Sequence, residues 1–223
     1  MQDQSHQPIN APTAVKIIEA ATHLFMQRGY KAVSITDIIK AAEVTKPTLY
    51  YYFSDKEELF VQMGLSVVAM MSAQLRDAAA SAATTAQRLT ALAQVLLADR
   101  DGDMRMMRHE MFEHVGPAQR ERLAGAFYSG LFAPIQQAMA RGLADGELTR
   151  YPAEILAAMF LGMSESFHEF ASGAHAGPWA SAPGGPFSSP QLSAETLVDL
   201  FLHGVAPNPR DPAAGDGPAP RDP

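Results

Sequence analysis

The sequence contains no cysteine among its 223 residues. That excludes a disulfide scaffold, a cysteine-ligated zinc or iron–sulfur site and a thiol nucleophile. A chain without thiols suits a reducing compartment, and a cytoplasmic protein is the expectation. Charge-free apolar runs long enough to span a bilayer are missing too. The first ten residues are polar and hold no apolar leader core, so no membrane partner is expected. Strand signals are scarce, since period-two runs are short and no Asn-Gly turn separates two of them. No P-loop, Rossmann glycine pattern, G-x-S-x-G or H-E-x-x-H occurs. An enzyme is therefore not expected, nor a cofactor, a catalytic residue or a metal site.

Lysine is scarce and unevenly placed. All five lysines, Lys16, Lys31, Lys40, Lys46 and Lys56, lie in the first quarter of the chain. With Arg28 they outweigh Glu19, Asp37, Glu43 and Asp55, which leaves residues 11–56 at +2 in a chain of net charge −7. A mildly basic head on an acidic body points to an anionic partner at one end only.

What the sequence does have is apolar material, 47% of its residues, arranged at helical spacing. Helix 1 is predicted from Pro12 to Arg28, with Val15, Ile18, Ala21, Leu24 and Phe25 on its inner face and Gly29 just past its end. Ser34-Ile-Thr-Asp37 reads as a capping box opening a short second helix, with Ile35, Ile38 and Ile39 inward. Thr45 caps a third, with Pro47 in its first turn and Leu49 and Phe53 inward. Ser54-Asp-Lys-Glu57 reads as a further capping box for helix 4. Longer helices are expected to about residue 80, over 86–98, 104–115 and 117–144, from 152 to 172, and over 191–205. Residues 173–190 read as a loop. The fold class is all-α, about nine helices. The expected organisation is a flexible tail (1–11), a helix-turn-helix head (12–56), a helical effector-binding and dimerisation body (57–205) and a disordered tail (206–223).

Two short helices joined by a tight turn and braced by a third make a helix-turn-helix. The third helix offers Thr45, Lys46, Pro47 and Thr48 at its N-terminal end, then Tyr50, Tyr51 and Tyr52 in succession. Consecutive helical positions point about 100° apart, so one core face cannot take three tyrosines together with Leu49 and Phe53. Hydroxyls and an ammonium suit phosphate oxygens, and phenol rings suit groove walls.

On these motifs residues 12–60 resemble the N-terminal domain of the TetR/AcrR family. The resemblance lies in A-x-x-L-F-x-x-x-G-Y ending helix 1, S-I-T-D-I, K-P-T-L-Y-Y-Y-F and S-D-K-E-E-L-F. It implies that Thr36, Lys46, Pro47, Thr48, Tyr50, Tyr51 and Tyr52 face DNA, that Leu49 and Phe53 are core, and that Lys56 contacts a phosphate. Glu43 departs from the family's turn glycine, which demands a glutamate that tolerates the turn's backbone, with positive φ as the strained case. The resemblance further implies a variable helical ligand domain and a dimer through the last two long helices.

The body agrees with that plan. Leu156, Met159, Phe160 and Met163, with Leu197, Leu200 and Phe201, are expected at a homodimer interface built as a four-helix bundle. Such a dimer would read a palindromic operator in double-stranded DNA. Met63, Met107, Met111, Phe112, Phe127, Tyr128, Phe132, Met163, Phe167 and His168 are expected to line a pocket for an apolar or aromatic small-molecule effector, methionine being the adaptable residue there. The pairs His109/Glu113 and Glu110/His114, and Glu165-x-x-His168, read as solvated helix faces with local ion pairs. The competing readings are an effector-independent architectural DNA-binding protein and a helical metalloenzyme using Glu165 and His168.

Overall fold

A computed structural model describes residues 11–98, 109–110, 113–149, 151–172 and 193–204. The expected tails, the loop over 173–190 and most of the helix over 104–115 lie outside them. The described elements are all helical: α1 (Pro12–Ala32), α2 (Ile35–Ala41), α3 (Lys46–Tyr52), α4 (Lys56–Ala80) and α5 (Thr85–Leu97) come first. Next come α6 (Pro117–Phe127), a π-helical turn (Tyr128–Phe132), α7 (Ala133–Ala144), α8 (Ala153–Ser172) and α9 (Ala194–His203). The chain divides into two compact units, Met1–Asp77 with Ala98–Pro134, and Ala78–Leu97 with Ile135–Pro223.

In the first unit the short helices start where side-chain oxygens replace missing helical partners. Ser34 and Asp37 form a reciprocal capping box on α2, with Ser34 N–H donating to Asp37 at 2.9 Å. That exchange also holds the Asp37 carboxyl below its ordinary range, because the Ser34 hydroxyl and N–H both favour the charged form. Thr45 accepts from Thr48 N–H at 3.3 Å and opens α3. At α4 the cap lies one residue later than predicted. Asp55, not Ser54, accepts from Glu58 N–H at 2.8 Å, while the Ser54 hydroxyl donates to Asp55.

Gly29 has φ +76° and interrupts the helical backbone inside α1, as expected of a glycine past a helix end. The buried face of α1 comprises Ala14, Ile17, Ile18, Ala21, Leu24, Phe25 and Met26. Val15, predicted inward, is exposed; Ala14 takes the inner position, because it lies in i, i+3, i+4 register with Ile17, Ile18 and Ala21. On α2 only Ile38 is fully buried, Ile35 and Ile39 being half-buried. These residues meet Val33, Leu49, Phe53, Leu59 and Phe60 in one apolar core.

By length and composition α4 could cross a membrane, its mean hydropathy reaching 1.3, a property that a search for strictly charge-free runs does not detect. Over half of that window is buried inside the protein, as in the core helix of a water-facing fold. Farther along, Pro134 has no N–H to donate and its ring would strike the carbonyl of residue 130, which accounts for the π turn immediately before it. Gly130 in that turn lies against α4; a β-carbon there would come within 2.8 Å of Val68 Cγ1.

In the second unit α5, α8 and α9 pack together. Thr84 and Gln87 cap α5 reciprocally, and Glu147 accepts from Thr85 N–H at 2.6 Å. The buried Arg88 donates to the carbonyls of Ala79 and Ala82, which bracket the end of α4. Phe160 and Phe201 meet edge to face, their centroids 5.2 Å apart.

Candidate nucleic-acid interface

The third helix has two contrasting faces. Leu49 and Phe53 are fully buried, while Tyr50 is 42% and Tyr51 55% exposed. Tyr52 is half-buried between Tyr51, edge to face at 5.1 Å, and Phe53. Burying Leu49 and Phe53, four residues apart, necessarily turns positions 50 and 51 outward. Thr45, Lys46 and Pro47 are exposed at the N-terminal end, Thr48 is half-buried, and Thr36 is exposed on α2. Lys46 Nζ lies 5.9 Å from the Tyr50 ring centroid, so the ammonium is carried on the same outer surface as the phenol. Hydroxyls, one cation and two open aromatic rings are thus exposed on and beside this short helix, the chemistry a phosphate backbone and a groove wall require.

Glu43 occupies the turn between α2 and α3 with φ +50°, the strained backbone its departure from glycine demanded. Its carboxylate is paired with Lys16 Nζ at 2.9 Å, which lowers its pKa through that hydrogen bond and charge. The negative charge near the outer face therefore comes with a cation of its own.

Lys56 is placed differently from the phosphate contact the resemblance implies. Its ammonium donates to the Tyr30 carbonyl and lies 4.1 Å from the Tyr30 ring centroid. Burial depresses its pKa, with Glu110 acting in the opposite sense.

The first unit also holds a junction that sequence reasoning missed. Glu110 and His114, read as solvent-facing, are docked on the head. The Tyr30 N–H donates to the Glu110 carboxylate, and His114 stacks on the Tyr30 ring with centroids 5.3 Å apart. Glu113 pairs with His109 at 3.4 Å, as the spacing predicted, and also reaches Lys31 at 3.8 Å. Gly116 N–H donates to Glu57 at 2.8 Å, placing an acid at the N-terminus of α6. Gln119 donates to Glu58 at 3.1 Å. The only sequence signal was the G-Y pair ending helix 1, and it named no partner eighty residues away.

The expected effector residues fall in both units. Met63 is fully buried, Phe127 and Phe132 are half-buried, and Tyr128 is exposed and stacked on Phe132 at 5.4 Å, all in the first unit. Met163 and Phe167 are half-buried in the second. Met107, Met111, Phe112 and the side chain of His168 lie outside the described residues, so the Glu165/His168 pair does too. Among the described residues no three His, Cys, Asp or Glu side chains gather as metal ligands would.

Of the residues expected at a dimer interface, Leu156, Phe160 and Leu197 are buried within their own protomer. Packing against α5 and α9 takes that face of α8. Met163, Leu200 and Phe201 are half-buried. The outer face of α8 is Ile155, Ala158, Met159 and Gly162, with Met159 52% exposed.

The described elements are thus all helical, with a helix-turn-helix that exposes tyrosines and a lysine, the arrangement that helix-turn-helix domains use on DNA. Residues 17–63 match the family of bacterial regulatory proteins, tetR family. Over 48 residues the chain is 42% identical to the transcriptional regulator QacR of Staphylococcus aureus, covering 22% of this chain and 26% of that protein. Over 77 residues it is 30% identical to the transcriptional repressor KstR2 of Mycobacterium tuberculosis, covering 34% and 38%. The chain therefore spans less than two fifths of the length of these curated relatives. The crystal structure of a TetR/AcrR transcriptional regulator from Thermobifida fusca superimposes with a TM-score of 0.59 at 25% identity, over 86% of this chain and 98% of that one. Residues 17–63 thus match the N-terminal domain of the tetR family, and the fold is similar to that of a TetR/AcrR regulator.

Proposed function

We propose that the protein is a transcriptional repressor, cytoplasmic and homodimeric, that binds a palindromic operator and leaves it when a small apolar or aromatic effector is bound. The observation carrying the DNA-binding part is the outward pair Tyr50 and Tyr51 beside Lys46 on a capped helix only seven residues long. Two exposed phenols on so short a helix gain nothing from water and gain contact area from a groove. Thr36, Thr45, Pro47, Thr48 and Tyr52 complete the contact set, and Lys56 joins it only after leaving Tyr30. The outer face of α8, centred on Ile155 and Met159 and open at Gly162, supports pairing of two copies across a two-fold axis. That pairing would set two recognition helices about one helical turn of DNA apart. The methionine and phenylalanine content of the body supports an apolar effector, which acts by favouring a dimer whose heads are wrongly spaced.

The test begins with duplexes that the wild-type protein selects from a random pool. Tyr51→Ala is expected to weaken binding roughly tenfold or more with the thermal transition unchanged. Lys46→Ala is expected to reduce the slope of log affinity against log salt by about 0.9 per protomer, about 1.8 for the dimer. Failure of the wild-type protein to retain any duplex at low salt overturns the reading.

A further inference from the structure

The junction between the head and residues 109–110 and 113–122 is not needed to explain why α3 can enter a groove, yet several polar bonds converge there. The kink in α1 sits at Gly29, whose positive φ makes it the natural hinge between the long part of α1 and its last turn. One carboxylate closes on it. Glu110 accepts from the N–H of Tyr30, and a β-carbon on Gly29 would lie 2.8 Å from Glu110 Oε1, so the acid is seated where only glycine leaves room. The carbonyl of Tyr30 is also taken, since Lys56 at the start of α4 donates to it. The Tyr30 ring is held on three sides, by Phe25 at 5.8 Å, Phe60 at 4.8 Å and His114 at 5.3 Å between centroids. Glu57 and Glu58, next to Lys56, hold the start of α6 through Gly116, Gln119 and Arg122.

The charges around this point include Lys56, Asp55, Glu57, Glu110, Lys31 and Glu113, cations and anions interspersed. An arrangement in which one anion takes the N–H of Tyr30 and one cation its carbonyl fixes a single backbone orientation at a position that would otherwise turn freely.

We propose that Glu110 is a positioning residue for DNA binding, clamping the Gly29–Tyr30 hinge so that α1 and the helix-turn-helix meet the duplex as one rigid piece. The proposal rests on the DNA-binding reading above. When Glu110 withdraws, the hinge is freed and Lys56 loses the countercharge near it.

The experiment measures binding of a duplex about three helical turns long, selected by the wild-type protein, for wild type, Glu110→Ala, Glu110→Gln and Tyr51→Ala. Glu110→Ala is expected to lose roughly tenfold in affinity with an unchanged salt slope, because no phosphate contact is removed. Glu110→Gln retains an acceptor oxygen and is expected to recover most of the loss. Amide exchange at Tyr30 in the DNA-free protein is expected to quicken by a similar factor in Glu110→Ala, and less in Glu110→Gln. Should the alanine variant fail to fold, Glu110→Met, of similar length but without an acceptor oxygen, carries the test: exchange at Tyr30 faster than in the wild type supports the clamp, and wild-type exchange overturns it. Wild-type affinity in Glu110→Ala, with Tyr51→Ala still defective, overturns the clamp and leaves the DNA-binding reading standing. A wild-type protein that binds no duplex removes both.

Discussion

The third and eighth helices both carry large side chains on more than one face, and they dispose of them differently. α3 is seven residues long, is started by Thr45 and Pro47, and buries only Leu49 before Phe53 closes the segment. Its remaining aromatic rings have nowhere to go but outward. α8 spans twenty residues and is apolar on more than one face over its first half, and its own unit buries Leu156, Ala157 and Phe160 while Ile155 and Met159 stay open. A short helix with one anchor has a single outcome. A long helix with two apolar faces has two, and only its neighbours choose.

Three substitutions and one change of pH would break or sharpen that contrast. The largest effect is expected on α8. Phe160→Ala should cost about 3–5 kcal/mol of folding stability, because it empties a fully buried site against Phe201. Met159→Glu, one residue away, should leave the protomer's fold intact and shift sedimentation from dimer to monomer. Equal destabilisation by both would show that the two faces are not distinct. A smaller effect is expected in the turn before α3. Glu43→Gly relieves the positive φ and removes a carboxylate close to the outer face. It should raise the melting temperature slightly and increase DNA affinity, with a steeper salt dependence as Lys16 is released. Unchanged affinity would place Glu43 outside the DNA field. The smallest effect is expected at the start of α2. The folded pKa of Asp37 lies below its unfolded value, so the cap's contribution is present above the unfolded pKa and is lost as pH falls through the folded one. Amide exchange of Ser34 and Asp37 should accelerate over that acidic range before the rest of the head responds.

The head was legible because its instructions are local. Ser34/Asp37 and Thr45/Thr48 act across three residues, and Gly29 and Pro47 restrict the backbone at their own positions. Where a local signal was degenerate the reading slipped by one: Ser54 and Asp55 can both cap, and the carboxylate took the place. The π turn before Pro134 was equally local and went unread, since its helical flanks hid the break. The docking of Glu110 and His114 on Tyr30 was not legible at all. An E-x-x-x-H spacing describes which helix face two residues share, and it says nothing about whether that face meets water or another segment.

By itself, the order of residues determined the helical class, the caps of the two short helices, the strained turn at Glu43 and the outward tyrosines, because each depends on backbone bonding over three or four positions. Tertiary structure alone decided which face of α8 is spent inside the protomer, where Lys56 puts its ammonium and what holds the Gly29 hinge. Those choices depend on side chains tens of residues apart competing for the same neighbours, and that competition has no period in the sequence.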